Sequence, residues 1–310
     1  METPASRSRI QLNPLRPLLR NPVALKELRG RMRGPRAFVV LTCYLMVVGG
    51  FTTLLYIAGT AATYSTSGEV DGGTLGRVLF GSVVAIELFL VTFITPAFTA
   101  GSISGEHESQ TYDLLRTTLL PERQLVFGKL FSALAYVLLL LLAAIPLQSI
   151  AFLFGGVDIE EVLISLLVLL ATAIFLGTVG VYYSALTHRT LRANIMTYVT
   201  ILTVILITTA GAVIALAVAE GLNPSTSSTG SEWFLLIVRG IFVCLNPLTT
   251  LLATQQYLVN QQTLFTFQYT FSNGTTTTLP SPWIVFTILY LVLSVVVFFL
   301  TTRHLKRIEG

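Results

Sequence analysis

The sequence predicts an all-α polytopic membrane protein. Six transmembrane helices are expected, with a short interfacial helix before the first, a short cytoplasmic helix between the second and third, and a re-entrant or interfacial segment with a small β-hairpin before the last. Three observations carry this. Of 310 residues, 53% are hydrophobic and only 11% are Asp, Glu, Lys or Arg, whereas soluble domains carry about 25% charge. Six apolar runs reach the length of about 20 residues that spans roughly 30 Å of hydrocarbon at a rise of about 1.5 Å. The basic residues also sort by loop: 17 of 19 fall on one side of the map these runs create, leaving Arg77 and Arg239 on the other. By the positive-inside rule, both termini and the second and fourth connections are expected in the cytoplasm.

Residues 1–36 form a basic leader holding Arg7, Arg9, Arg16, Arg20, Lys26, Arg29, Arg31, Arg33 and Arg36. The first apolar run is too long for the core of a signal peptide, so it is expected to stay as an anchor. In NPVALKELRGRMRGPR, Asn21 is an expected N-cap, Pro22 suits the first helical position and Gly34-Pro35 is a stop. Leu25, Leu28 and Met32 recur at helical spacing among basic residues, the pattern of a helix lying in the membrane interface.

The spans are expected at Ala37 to Ile57, Val78 to Ala100, Leu125 to Phe154, Val162 to Leu186, Asn194 to Ala219 and Trp283 to Thr302, within a transmembrane domain of residues 37–302. Residues 303–310 form a short cytoplasmic tail. The third run is long enough to tilt or to carry its ends into the interface. Pro96 and Pro146 are expected to kink or end helices, and Ala173, Gly177 and Gly180 to allow close packing. Cys43 and Cys244 read as two small buried hydrophobes without a disulfide.

The external connection 220–282 contains WFLLIVRGIFVCLNPLTTLL, apolar enough for a seventh span. Arg239 lies inside it, Pro247 breaks it, and a seventh crossing would move Arg303, Lys306 and Arg307 outside. One or two re-entrant or interfacial helices fit better. Phe265, Phe267, Tyr269 and Phe271 then alternate before Asn273-Gly274 and a run of threonines, the signature of a β-hairpin. Asn273-Gly274-Thr275 also matches a glycosylation sequon, although a plain turn accounts for it.

Catalytic constellations are missing. Around Gly128-Lys129, Leu130 replaces the Ser or Thr and Arg123 the first Gly of a phosphate loop, so the chain is not expected to bind ATP. Glu106, His107 and Glu108 are consecutive and point in different directions, and no second His completes a zinc motif, so no metal is expected. No Gly-x-Ser-x-Gly element occurs, and the three histidines are far apart in sequence. The basic residues hug span ends, which fits anionic lipid headgroups and not nucleic acid. Glu87 lies deep inside the second span. It either lines a substrate path or an interface between chains, or is hydrogen-bonded to a Thr or Tyr of a neighbouring helix or held protonated.

The connection SISGEHESQTYDLLRTTLLPERQLVFGK, residues 102–129, concentrates polar groups between two apolar runs. Ser104 is an expected cap, Glu106 and Glu108 suit a first turn, and Tyr112, Leu115 and Leu119 make an apolar stripe. Either a displayed amphipathic helix or a solvated loop fits these residues.

This stretch, with the NPVALKELRGRMR leader, resembles the type-two permease subunits of ATP-binding-cassette (ABC) transporters, the membrane halves of exporters with the type V fold. Their pattern is I-S-G-E-R-E-x-G-T-x-x-x-L-L, followed by a Thr-Pro segment and Gly-Lys. Ile103, Ser104, Gly105, Glu106, Glu108, Thr111, Leu114, Leu115, Gly128 and Lys129 match; His107, Gln110 and Leu119 stand where Arg, Gly and Pro are usual.

The resemblance implies an elbow helix at 21–33 and a coupling helix at about 104–118 that docks on a separate ATPase subunit. Ser104, Gly105, Glu106, His107, Glu108, Thr111, Tyr112 and Leu115 would be the docking residues. It further implies a second permease chain, as homodimer or heterodimer, and a non-enzymatic role, with ATP and Mg bound by the partner. The expected setting is a prokaryotic cell membrane. The function implied is export; the alternative is a non-transporting scaffold or mechanotransmission subunit using the same joint to move its outer segment.

Overall fold

A computed structural model describes residues 22–32, 34–66, 72–111, 122–221, 229–271 and 273–309. The expected N-cap Asn21 lies outside them. In chain order the elements are α1 (Pro22–Met32), α2 (Pro35–Thr66), α3 (Gly72–Thr99), α4 (Ser104–Glu108), α5 (Glu122–Gln148), α6 (Ile150–Phe154) and α7 (Ile159–Leu186). They continue with α8 (Thr190–Gly221), α9 (Thr229–Leu245), α10 (Pro247–Gln261), β1 (Thr266–Thr270), β2 (Thr276–Pro280) and α11 (Pro282–Glu309).

Six helices, α2, α3, α5, α7, α8 and α11, are long and apolar enough to cross a membrane. They contain the six expected runs, with one correction. The third run does not continue to Phe154 as one helix: α5 stops at Gln148, two residues beyond Pro146, and α6 follows as a separate turn. A proline within a helix removes a backbone donor and crowds the preceding turn.

The centre of the bundle is α7, 67% of whose membrane window is buried within the chain, against 17% for α2 and 22% each for α8 and α11. Small residues permit this. A Cβ at Gly180 would stand 2.1 Å from Thr99 Oγ1, and one at Gly177 would stand 3.2 Å from Leu130. Leu169 and Ala173 meet Val84, Leu88, Val91, Val137 and Leu141 from α3 and α5, while Val168 packs with Phe286 and Tyr290 of α11. On α2, α8 and α11, by contrast, large apolar side chains such as Phe38, Met46, Leu206 and Phe299 are exposed, as lipid-facing or partner-facing surfaces must be. Cys43 shares that exposed face and is not buried as expected; it and Cys244 are both free.

Ile103, Val126, Val181, Ala185 and Leu305 form one cluster at one end of the bundle. The end of α11 therefore lies on the same face as the start of α5 and the ends of α3 and α7. The far face carries the re-entrant segment. Helices α9 and α10 meet at a bend of 116°, and Asn246 occupies the corner, almost fully buried. Its Oδ1 accepts from Leu248 N at 2.9 Å and Thr249 N at 3.4 Å, capping α10. Its Nδ2 donates to Thr208 Oγ1 at 3.0 Å and Thr209 Oγ1 at 2.7 Å on α8.

Thr208 lies 13 residues before the end of α8, or about 20 Å along the helix. Tyr290, whose hydroxyl donates to Leu245 O at 2.8 Å, lies 8 residues into α11, about 12 Å. The corner thus sits well inside the bundle, and the chain turns back there. Irregular backbone at that depth requires internal partners, which Asn246, Thr249 and Thr250 supply. The expected hairpin follows: β1 and β2 pair antiparallel with Thr266 opposite Pro280 and Thr270 opposite Thr276. Gly274 at φ 81° makes the turn, and Asn273 Oδ1 accepts from Thr275 N at 3.0 Å. Phe267 stacks on Tyr257 with centroids 4.2 Å apart, fastening the hairpin to α10.

Candidate functional site

The polar stretch between α3 and α5 is built into the bundle by its first half. From Ile103 to Thr111 the chain makes a single closed helical turn, α4, and residues 112–121 lie outside the described ones. The expected helix over 104–118 is therefore not continuous, and a capping motif ends it. Thr111 N donates to Glu106 O at 3.0 Å and Gln110 N to His107 O at 3.2 Å. Gln110 has φ 56°. These two bonds around a left-handed residue are a Schellman motif, whose left-handed position favours glycine. Gln110 is also where the resembling pattern has Gly, so the departure noted in the sequence falls on a position with a stereochemical demand.

Each polar residue of α4 ties it to a different helix. Ser104 is not the cap expected of it. It is fully buried inside the turn, and Ser184 of α7 takes the free amides instead: Ser184 Oγ accepts from Ile103 N at 2.9 Å and Ser104 N at 3.0 Å. Glu108 reaches α8, accepting from Thr190 N at 2.9 Å and Thr190 Oγ1 at 2.8 Å. A carboxylate at that position also complements the positive end of the helix dipole. Glu106 reaches α5, where its Oε1 accepts from Lys129 Nζ at 2.5 Å.

Lys129 is the hub. Its side chain is 2% exposed, and its Nζ also donates to Ser102 O at 2.7 Å and to Glu27 Oε1 of α1 at 2.9 Å. The other carboxylate oxygen of Glu27 accepts from Ser132 Oγ at 3.0 Å. A buried ammonium with three acceptors uses its full donor capacity. Arg31 of α1 adds a bond to Phe98 O at 3.0 Å, with its guanidinium 5.5 Å from the Phe98 ring centre. Burial lowers the Arg31 pKa from its ordinary value, opposed by the nearby Glu27 carboxylate.

The N-terminal helix thus faces the bundle with Ala24, Glu27 and Arg31, while Leu25 and Met32 point outward. Lys129 and Arg31 serve the bundle's interior and not lipid headgroups, which corrects their sequence reading. A cleft of about 800 Å³ opens beside this network, lined in part by Lys26, Gly34, Val40 and Gly105.

Of the expected docking residues, Ser104 is buried, Gly105, Glu106 and His107 are half-buried, and Glu108 and Thr111 are exposed. Tyr112 and Leu115 lie outside the described residues. His107 and His188, distant in sequence, meet edge-on with ring centres 4.7 Å apart. Among the described residues, however, no group of three potential metal ligands forms. Glu87 is fully buried. Its partner is not a Thr or Tyr but Gln148, whose Nε2 donates to Glu87 Oε2 at 2.7 Å.

Sequence reasoning missed Ser184, Thr190, Glu27 and Gln148. Each was an unexceptional polar residue until folding brought it to its partner.

Six helices long and apolar enough to cross a membrane, a helix bonded along the start of the third span, and a polar turn linking four helices at one end define an all-α polytopic membrane protein. The chain belongs to the ABC-2 family transporter proteins, whose sequence model matches residues 21–304. It is accordingly a membrane-embedded permease subunit of an ABC transporter, a family that works with ABC ATPases. No curated protein matches it.

Proposed function

We propose that this chain is the non-catalytic permease half of an exporter in a prokaryotic plasma membrane. Both termini are cytoplasmic, and the chain works beside a second permease chain, with lipid around the pair. A separate ATPase supplies the energy and holds ATP and Mg; it docks on the 104–118 segment. One observation supports the reading above the others: α4 is bonded at once to α7 through Ser104, α8 through Glu108, and α5 and α1 through Glu106 and Lys129. Force applied to this turn reaches four helices without crossing a flexible joint. Closure of the ATPase dimer on ATP would then shift the equilibrium between bundle arrangements.

The docking set divides accordingly. Glu106 and Glu108 transmit, since Glu106 Oε1 and both carboxylate oxygens of Glu108 are bonded within the chain, while the exposed Ser109 to Thr111 and the following Tyr112 and Leu115 make the contact.

The test uses the permease co-expressed with the ABC ATPase encoded beside it. Thr111→Trp should leave the permease folded, yet reduce ATPase co-purification and permease-dependent stimulation of ATP hydrolysis. Undiminished recovery and stimulation would refute the docking assignment.

A further inference from the structure

The far face holds a second pocket, remote from the α4 turn and the Lys129 network. It occupies about 500 Å³ between α9, α10, the hairpin and α11, within the range of roughly 300–1,000 Å³ typical of small-molecule sites. Trp233, Ile237, Phe267, Val285 and Leu289 make its walls apolar. The one Asp, Glu, Lys or Arg in the lining is Arg239, and among the described residues it has no ion-pair partner.

A guanidinium in apolar surroundings at a membrane face needs a counter-charge. Arg239 lies seven residues before the Asn246 corner, about 10 Å back along α9 toward the far face. The cation therefore sits above the deepest point of the re-entrant segment, nearer the membrane surface. From this arrangement we infer that the pocket binds an anionic phospholipid of the far leaflet, with its phosphate on Arg239 and its acyl chain along the α9–α11 wall.

The chemistry selects this occupant. Apolar walls accept hydrocarbon, and the fork of donors on arginine matches a phosphate in bidentate fashion. A zwitterionic lipid carries its own cation beside the phosphate, so it satisfies Arg239 less well. A free phosphate would leave the apolar walls empty.

The test measures lipid retention by the purified full-length protein, using native mass spectrometry after incubation with equimolar phosphatidylglycerol and phosphatidylcholine. Wild type should retain phosphatidylglycerol about tenfold better, the factor given by one charge-assisted bond. Arg239→Gln should bring retention to the phosphatidylcholine level, whereas Arg303→Gln, outside the pocket, should leave the preference intact. Leu289→Trp, which fills the pocket and keeps the charge, should reduce retention of both lipids. It also serves if Arg239→Gln does not fold. Equal retention of the two lipids by wild type, an undiminished preference in folded Arg239→Gln, or undiminished retention of both lipids in Leu289→Trp, would overturn the site.

Discussion

Replacing Lys129 with methionine should loosen the attachment of α1 and α4 to α5. The substitution keeps an unbranched chain of similar length and removes the three bonds of Nζ, to Glu27, Ser102 and Glu106. Breaking a buried ion pair from one side costs about 3–5 kcal/mol, mostly because the surviving charge is stranded. The side chains of Glu27 and Glu106 remain 20% and 25% exposed, so water can partly recover them. A loss of about 2–3 kcal/mol is therefore expected. Thermal unfolding in detergent, followed by fluorescence and by recovery of monodisperse protein, measures it.

A combination separates stranded charge from lost packing. Adding Glu27→Gln and Glu106→Gln to Lys129→Met should restore part of the loss, because both stranded carboxylates are then gone, although Arg31 loses its 3.8 Å pairing with Glu27. A single variant within about 0.5 kcal/mol of wild type, the range of ordinary surface substitutions, would refute the reasoning. So would a triple variant no better than the single.

Two further perturbations test neighbouring features. Gln110→Gly should stabilise the protein by about 0.5–1 kcal/mol, since glycine meets φ 56° without the cost a side chain incurs; an unchanged or lowered melting temperature would contradict the Schellman assignment. Asn246→Ala removes both the cap of α10 and the bonds to Thr208 and Thr209, and should cost about 2–3 kcal/mol. Its first symptom should be faster amide hydrogen exchange at the start of α10; exchange equal to wild type would show that the corner is held otherwise.

Much of the architecture was legible because it depends on local, periodic properties. Each span is announced by its own run of apolar residues, and the bent pair by Arg239 and Pro247 interrupting another. Asn273-Gly274, between the alternating aromatics and a run of threonines, marked the hairpin correctly down to its turn. The Asn246-Pro247 pair is a readable helix start, but its bonds to α8 are not readable, since nothing near Thr208 distinguishes it from other threonines in the span.

The polar hub was legible only in its location. Charge density in an apolar chain pointed to residues 105–116, yet the direction each carboxylate takes depends on partners far along the chain: Lys129 joins Glu27 across 102 residues, and Glu108 reaches Thr190 across 82. Sequence composition therefore suggested an outward-facing polar surface, where folding turns both carboxylates to neighbouring helices. Gln148 was hidden for a related reason: it lay inside an apolar run that read as one span, and only the break after it places it beside Glu87.

The central position of α7 has a consequence for how the chain is made. One of its partners is α11, synthesised after it, which contributes Phe286 and Tyr290 to the cluster around Val168. Until α11 is made, that side of α7 faces either lipid or the insertion machinery, with Gly177 and Gly180 already engaged by Leu130 and Thr99 on the other. The core around α7 is thus closed by an element made well after it, and a nascent chain cut short before residue 282 would carry an unfinished seam that membrane quality control can recognise.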